Sequence, residues 1–141
     1  MASDGFLQLG LSPSVLRAVE AMGFEEPTPV QREIIPRLLA GKDVIAQAQT
    51  GTGKTAAFGI PIVEKVDTGE ARVQALVLSP TRELALQVSV HLSQLGQFRG
   101  MTVLPVYGGQ PYDHQIRSLK RGVHVVVATP GRLIDLLERA R

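Results

Sequence analysis

The chain has 141 residues, 44% of them apolar and 20% charged, which is enough for one domain with a real core. Its formal charge is only +2 with a pI near 9.3, permitting a polyanionic partner without establishing one. It has no cysteine, which excludes disulfides and thiolate zinc sites. "MASDGFLQLG" lacks the basic segment of a signal peptide and no apolar run is long enough to span a membrane, so a cytoplasmic protein is expected.

Ser12-Pro13 opens a first helix in cap-then-proline fashion, with Val15, Val19 and Met22 at helical spacing and Gly23 to stop it. Thr28-Pro29 opens a second, running through Ile34, Ile35, Leu38 and Leu39 and closed by Gly41. The pattern then becomes strand, loop, helix, repeated. Strands are read at 43–48, 73–79, 101–107 and 123–129, and helices at about 54–65, 81–95, 110–120 and 131–140. Near-continuous apolar strands separated by helical segments predict βαβ units. The expected fold is α/β, with a doubly wound, mainly parallel sheet and helices on both faces. Pro61 predicts a bend or an end near Ile60, because its nitrogen cannot donate to the carbonyl of Ala57.

Ligands of such sheets gather beyond the carboxyl ends of the strands. Each strand here ends in a small, polar or glycine-rich stretch: "AQTGTGKT", "SPTRE", "YGGQP" and "TPGR". The first, Ala48–Gln49–Thr50–Gly51–Thr52–Gly53–Lys54–Thr55, approaches the phosphate-binding pattern G-x-x-x-x-G-K-[ST]. Gly51 and Gly53 let successive N–H groups point inward at an anion, and the next helix adds the positive end of its dipole. Lys54 reaches terminal phosphates as a point charge, and the Thr55 hydroxyl can ligate Mg²⁺. Ala48 stands where that pattern has its first glycine. The plainer alternative is a glycine-rich turn with an exposed lysine.

One helix upstream lies "GFEEPTPVQ" (23–31). Phe24 can stack on a planar base, and the Gln31 amide offers a donor and an acceptor to the edge of adenine. Thr28 and Gln31 are equally a capping box with Pro29 at the first helical position, and local logic favours that cap. The cap and the base contact are expected to use different atoms. Further along, "SPTRELALQ" reads as a helix start with Ser79 or Thr81 as cap and Pro80 and Glu83 in its first turn. Thr129-Pro130 reads the same way, and "YGGQP" as a turn. Together they line one rim with helix N-termini, free amides and two arginines, Arg82 and Arg132, a surface suited to a row of phosphates. His91, His114 and His124 show no metal-site spacing and read as ordinary surface or core residues.

"GFEEPTPVQ", "AQTGTGKT", "PTRELA" (80–85), "GG" (108–109) and "TPGR" (129–132) together resemble the DEAD-box ATP-dependent RNA helicase family in order and spacing, over essentially the whole chain. The resemblance implies a RecA-like P-loop NTPase lobe: 1–141 would be the N-terminal part of the first helicase domain, with the adenine-reading region at 4–32. It accounts for Ala48, since the family commonly has alanine there. It implies that Gln31 reads adenine, that Phe24 stacks on it and that Phe6 supports the pocket, with ATP and Mg²⁺ as cofactors held by 48–55. It also implies a sequence-independent grip on single-stranded RNA by Pro80, Thr81, Arg82, Gly108, Gly109, Thr129, Pro130, Gly131 and Arg132.

Hydrolysis needs an acid at another strand end to position the metal, and Ser79, Tyr107 and Thr129 are not acids. The family's D-E-A-D and S-A-T motifs and its second lobe, with the arginine finger, are expected beyond Arg141, so the lobe would be incomplete in this chain. Strand 43–48 would then have no neighbour in this chain, leaving a gap of about 15 Å in the sheet and a marginally stable fragment. Two rival readings remain. One is a nucleotide- or RNA-binding module without turnover. The other is a small-molecule phosphotransferase on the same loop, which gives no reason for "GFEEPTPVQ".

Overall fold

The structure, a computed structural model, describes residues 4–47 and 53–139. They fall into two compact units, Met1–Lys65 with Gln94–Gly100, and Val66–Ser93 with Met101–Arg141.

The first unit is helical. A short α1 (Asp4–Leu7), which the sequence pattern does not announce, precedes α2 (Pro13–Ala21), α3 (Pro29–Leu39) and α4 (Gly53–Lys65). α2 and α3 each end two residues before the glycine expected to stop them. Phe6, Val15, Ala18, Val19, Ile35, Ile60 and Val63 are buried. Ser12 does not cap its own helix. Its hydroxyl and amide both donate to Glu64 Oε1 on α4, at 2.6 and 3.2 Å, so a remote carboxylate closes the start of α2. Pro61 does not end α4 near Ile60; the helix continues to Lys65 with Pro61 buried inside it. Burial of Ile60 and Val63 on either side of it outweighs the missing backbone bond, because tertiary packing supplies most helical stability in proteins.

Residues 43–47, expected as the strand entering the phosphate loop, form no strand and are all exposed, Ile45 at 99%. An apolar run becomes a strand only when its backbone groups find a ladder, and none of the described strands pairs with this one. Residue 48, the last of that expected strand, lies outside the described residues. A largely apolar cleft of about 340 Å³ opens here, lined by Val30, Ile34 and Leu38 of α3, Lys54, Ala57 and Phe58 of α4, and Val44 and Ala46. It marks a flank of 43–47 without cover.

The second unit is built on a parallel sheet. β1 (Ala75–Leu78), β2 (Val103–Val106) and β3 (Val125–Ala128) pair in the order β1-β3-β2, followed in sequence by α5 (Arg82–Leu95), α6 (Tyr112–Arg121) and α7 (Pro130–Arg139) respectively. The central strand β3 is "VVVA" and is buried at every position, as a strand with neighbours on both sides and cover on both faces must be. Val106, Val126, Ala128 and Leu136 form the core of one face, with Leu104, Tyr112, Ile116, Leu119 and Leu133 packed against it from β2, α6 and α7. Leu76 and Leu78 stand in register with Val126 and Ala128 on that same face, yet are 51% and 57% exposed, so the cover stops before β1. His124 is a core residue. Its Nδ1 accepts from the Thr102 amide at 3.0 Å, which places the proton on Nε2, 3.2 Å from the Thr68 carbonyl.

Candidate functional site

In the first unit, the segment before α3 is fastened by its own polar groups. Thr28 Oγ1 accepts from the Gln31 amide at 3.3 Å and Gln31 Oε1 accepts from the Thr28 amide at 2.9 Å, a complete capping box. Arg32 folds back to the Pro27 carbonyl at 3.3 Å and to Glu26 at 3.1 Å, holding "EEP" against the helix start. Gln31 is buried, at 1% exposure. Its Nε2 donates to the Gly53 carbonyl at 3.1 Å, tying the expected base reader to the last glycine of the phosphate loop. A Cβ at Gly53 would lie 3.1 Å from both Thr28 Oγ1 and Cγ2, so glycine here serves close packing of loop on cap as well as loop curvature.

The expectation that cap and base contact use different atoms needs correction. The cap takes Oε1 and Gly53 takes Nε2, so both ends of the Gln31 amide already bond. Each end keeps one more valence, a lone pair on Oε1 and a hydrogen on Nε2, so the two uses are compatible only by sharing atoms. Phe24 is half-buried, whereas Phe6 is fully buried and presents no ring face to a ligand; it can only support. Lys54 and Thr55 occupy the second and third positions of α4. Lys54 is exposed and Thr55 half-buried, and Lys54 makes no ion pair among the described residues. Its charge is free for a ligand at a helix N-terminus. Ala48, Gln49, Thr50, Gly51 and Thr52 lie outside the described residues.

In the second unit, the parallel ladder brings three segments to one rim. The Ser79 amide bonds the Ala128 carbonyl and the Thr129 amide bonds the Val106 carbonyl, each at 2.9 Å, so the three chains leave the sheet side by side. They run directly into Pro80–Arg82, Gly108–Gly109 and Thr129–Arg132. Thr81 Oγ1 accepts from the Leu84 amide at 3.2 Å and caps α5, as expected of one of the two hydroxyls considered. Pro80, Thr81, Arg82, Gly108, Gly109, Pro130 and Gly131 are exposed. Thr129 is half-buried, with its carbonyl accepting from the Leu133 amide at 3.1 Å.

Arg132 departs from the expectation of a second cation on the rim. It is 9% exposed, donates from one terminal nitrogen to the Gln110 carbonyl (2.8 Å) and Gln115 Oε1 (3.2 Å), and lies 4.0 Å from the centre of the Tyr112 ring. The neighbouring acceptors and the aromatic face hold it inward more strongly than its charge draws it to water. Arg82 is therefore the exposed cation among these assigned residues, and it rests over the Tyr107 ring at 4.9 Å. Sequence reasoning missed Gln115, which is completely buried. A signal was present: Tyr112, Gln115, Ile116 and Leu119 follow the i, i+3, i+4, i+7 stripe, so position 115 puts an amide on an otherwise apolar face. Among the described residues no group of three or more His, Asp or Glu side chains could hold a metal ion, and no helix is long and apolar enough to cross a membrane.

The first unit carries a lysine-bearing helix N-terminus, and the second a parallel sheet whose strands alternate with helices, the pattern of an α/β protein. The sequence model of the DEAD/DEAH box helicase family matches residues 28–141, and the chain belongs to that family. It is 60% identical to a protein named DEAD-box ATP-dependent RNA helicase CshA from Geobacillus kaustophilus, over 95% of this chain and 29% of that protein. It is 54% identical to the CshA of Bacillus subtilis, over 95% of this chain and 27% of that protein. The chain thus spans between a quarter and a third of the length of these relatives. Among solved structures it is similar to a DEAD box protein from Methanococcus jannaschii, with a TM-score of 0.91 and 39% identity over 96% of this chain and 37% of the other. It also resembles S. cerevisiae Dbp5 bound to RNA and ADP BeF3, with a TM-score of 0.85 and 35% identity over 96% of this chain and 34% of that one. The fold is that of the RecA-like lobe of these helicases, incomplete in this chain.

Proposed function

We propose that the chain is the nucleotide- and RNA-binding part of the first lobe of a longer, cytoplasmic, ATP-dependent RNA helicase. In that reading Lys54 and the α4 amides hold the phosphates of ATP, while the remaining valences of the Gln31 amide meet the N6/N7 edge of adenine. Phe24 stacks on the base and Phe6 backs the pocket. The residues fit a magnesium nucleotide better than a resident metal: Thr55 is half-buried at the helix start with no carboxylate cluster beside it among the described residues, so the ion would arrive on the phosphates. Magnesium would supply charge neutralisation there, with Thr55 Oγ1 as its protein ligand. The exposed Arg82, the Gly108 and Gly109 amides and the helix starts at Thr81 and Thr129 would track an RNA backbone without touching base edges. In the whole protein, closure of a second lobe on ATP and RNA would strain a short duplex, and hydrolysis would reset it.

The observation that carries this reading is the Gln31–Gly53 hydrogen bond, with Gly53 packed on Thr28. It joins an amide with one donor and one acceptor valence left to the last glycine of the phosphate loop, as a site for one adenine nucleotide requires, and the sheet rim of the other unit is what a phosphotransferase would leave unexplained. The RNA half is tested by Arg82→Ala in the full-length protein. RNA affinity should fall about equally for unrelated single strands, and the slope of log affinity against log salt should flatten by about 0.7, the effect of one phosphate contact. A loss confined to particular sequences would mean base readout and would contradict the assignment.

A further inference from the structure

The turn from Tyr107 to Gln110 is held from beneath by a closed polar network. Gln115 Nε2 donates to the Tyr107 carbonyl (3.3 Å) and to Gln110 Oε1 (3.0 Å), while its Oε1 accepts from Arg132 (3.2 Å). Gln110 Nε2 in turn donates to the Tyr107 hydroxyl at 2.6 Å, and Arg132 holds the Gln110 carbonyl at 2.8 Å. The carbonyls at both ends of the turn are thereby fixed by side chains. Between them, Gly109 takes φ +91°, and a Cβ at either Gly108 or Gly109 would meet nothing within 4 Å. The two glycines are open on the outside and anchored on the inside. The network also reaches the rim's exposed cation, because Arg82 lies over the same Tyr107 ring.

We infer that Gln115 is a positioning residue for RNA binding: it touches no RNA, and its buried amide sets the Gly108–Gly109 turn and Arg132 in the geometry the backbone of RNA meets. Only an amide satisfies this site. Two donations run to oxygens of the turn and one acceptance comes from a guanidinium, so a carboxylate would set oxygen against oxygen on the turn side while keeping Arg132. An aliphatic side chain would lose both sides. Arg132 then acts with Gln115 as an internal brace, which accounts for its burial beside the exposed Pro130 and Gly131. The inference rests on the RNA reading of this rim.

The test measures, in the full-length protein, affinity for a labelled oligouridylate, the salt slope, nucleotide affinity and melting temperature. The variants are Gln115→Leu, Gln115→Glu, Gln110→Ala and Arg82→Ala. Both Gln115 variants should bind RNA about tenfold more weakly, the equivalent of one lost charge-assisted hydrogen bond, with nucleotide affinity unchanged. The salt slope of Gln115→Leu should stay at the wild-type value, because no charge has been changed, whereas Arg82→Ala flattens it. Gln110 is only half-buried, so Gln110→Ala carries the test if the Gln115 variants do not fold, and it should weaken RNA binding in the same slope-neutral way. Wild-type RNA affinity in a folded Gln115→Leu, or in Gln110→Ala where Gln115→Leu does not fold, would overturn the inference if Arg82→Ala still weakens binding. A loss in Gln115→Leu that Gln115→Glu does not share would assign the effect to Arg132 alone and overturn the role of the turn. An equal loss of nucleotide affinity would reduce Gln115 to a general fold residue. No effect of Arg82→Ala would remove the RNA reading of the rim itself, and this inference with it.

Discussion

Lys54→Ala in the full-length protein is expected to lower RNA-stimulated ATP hydrolysis by about a hundredfold or more, the loss typical of removing one preorganised charge from a developing oxyanion. Lys54 is exposed, has no ion pair among the described residues, and sits at the second position of α4, where the helix dipole already favours an anion. Folding draws little on such a side chain, so stability should shift by no more than about 0.5 kcal/mol. Phosphate release at saturating RNA, measured beside melting, separates the two effects. Near-wild-type turnover in Lys54→Ala would mean that the loop does not carry the phosphates.

The second large effect is an absence of turnover. Residues 1–141 alone should release phosphate from ATP no faster than buffer, even with saturating RNA. The strands of the sheet run out into Ser79, Tyr107 and Thr129, none of them an acid, and no carboxylate cluster exists among the described residues. Phosphoryl transfer depends on groups that position the metal and orient the water, and phosphate binding alone supplies neither. Phosphate release by 1–141 that disappears in Lys54→Ala would show that the chain finds those groups among its own residues.

Much of the fold is legible in the sequence because its signals are local. The apolar runs around 75–78, 103–106 and 125–128 are bounded by turn chemistry, and the helices that follow them start directly after Thr81, Pro111 and Thr129. Thr28 and Gln31 announce their capping box by spacing alone. What is illegible depends on partners distant in sequence. The run 43–47 has the composition of a strand, but pairing is decided by whether a neighbour exists, and it finds none among the described strands. Pro61 reads as a bend or an end of its helix, and the end does not come because Ile60 and Val63 are buried on both sides of it. Arg132 reads as a surface cation because its motif lies on an exposed rim, while the groups that draw it inward, Gln110, Tyr112 and Gln115, sit on another segment. Gln31 illustrates the middle case: its cap is foreseeable at three residues' distance, its bond to Gly53 at 22 is not.

We propose that the Gln31–Gly53 pair makes one site of a base reader and a phosphate loop. It is tested most directly by the affinities of ATP and GTP for the full-length protein and for Gln31→Ala. Guanine presents two acceptors where adenine presents a donor and an acceptor, so the wild-type protein should prefer ATP by about tenfold or more. Gln31→Ala should lose that preference while Thr28 keeps half of the cap and the fold survives. Equal affinity of the wild-type protein for ATP and GTP would contradict the account.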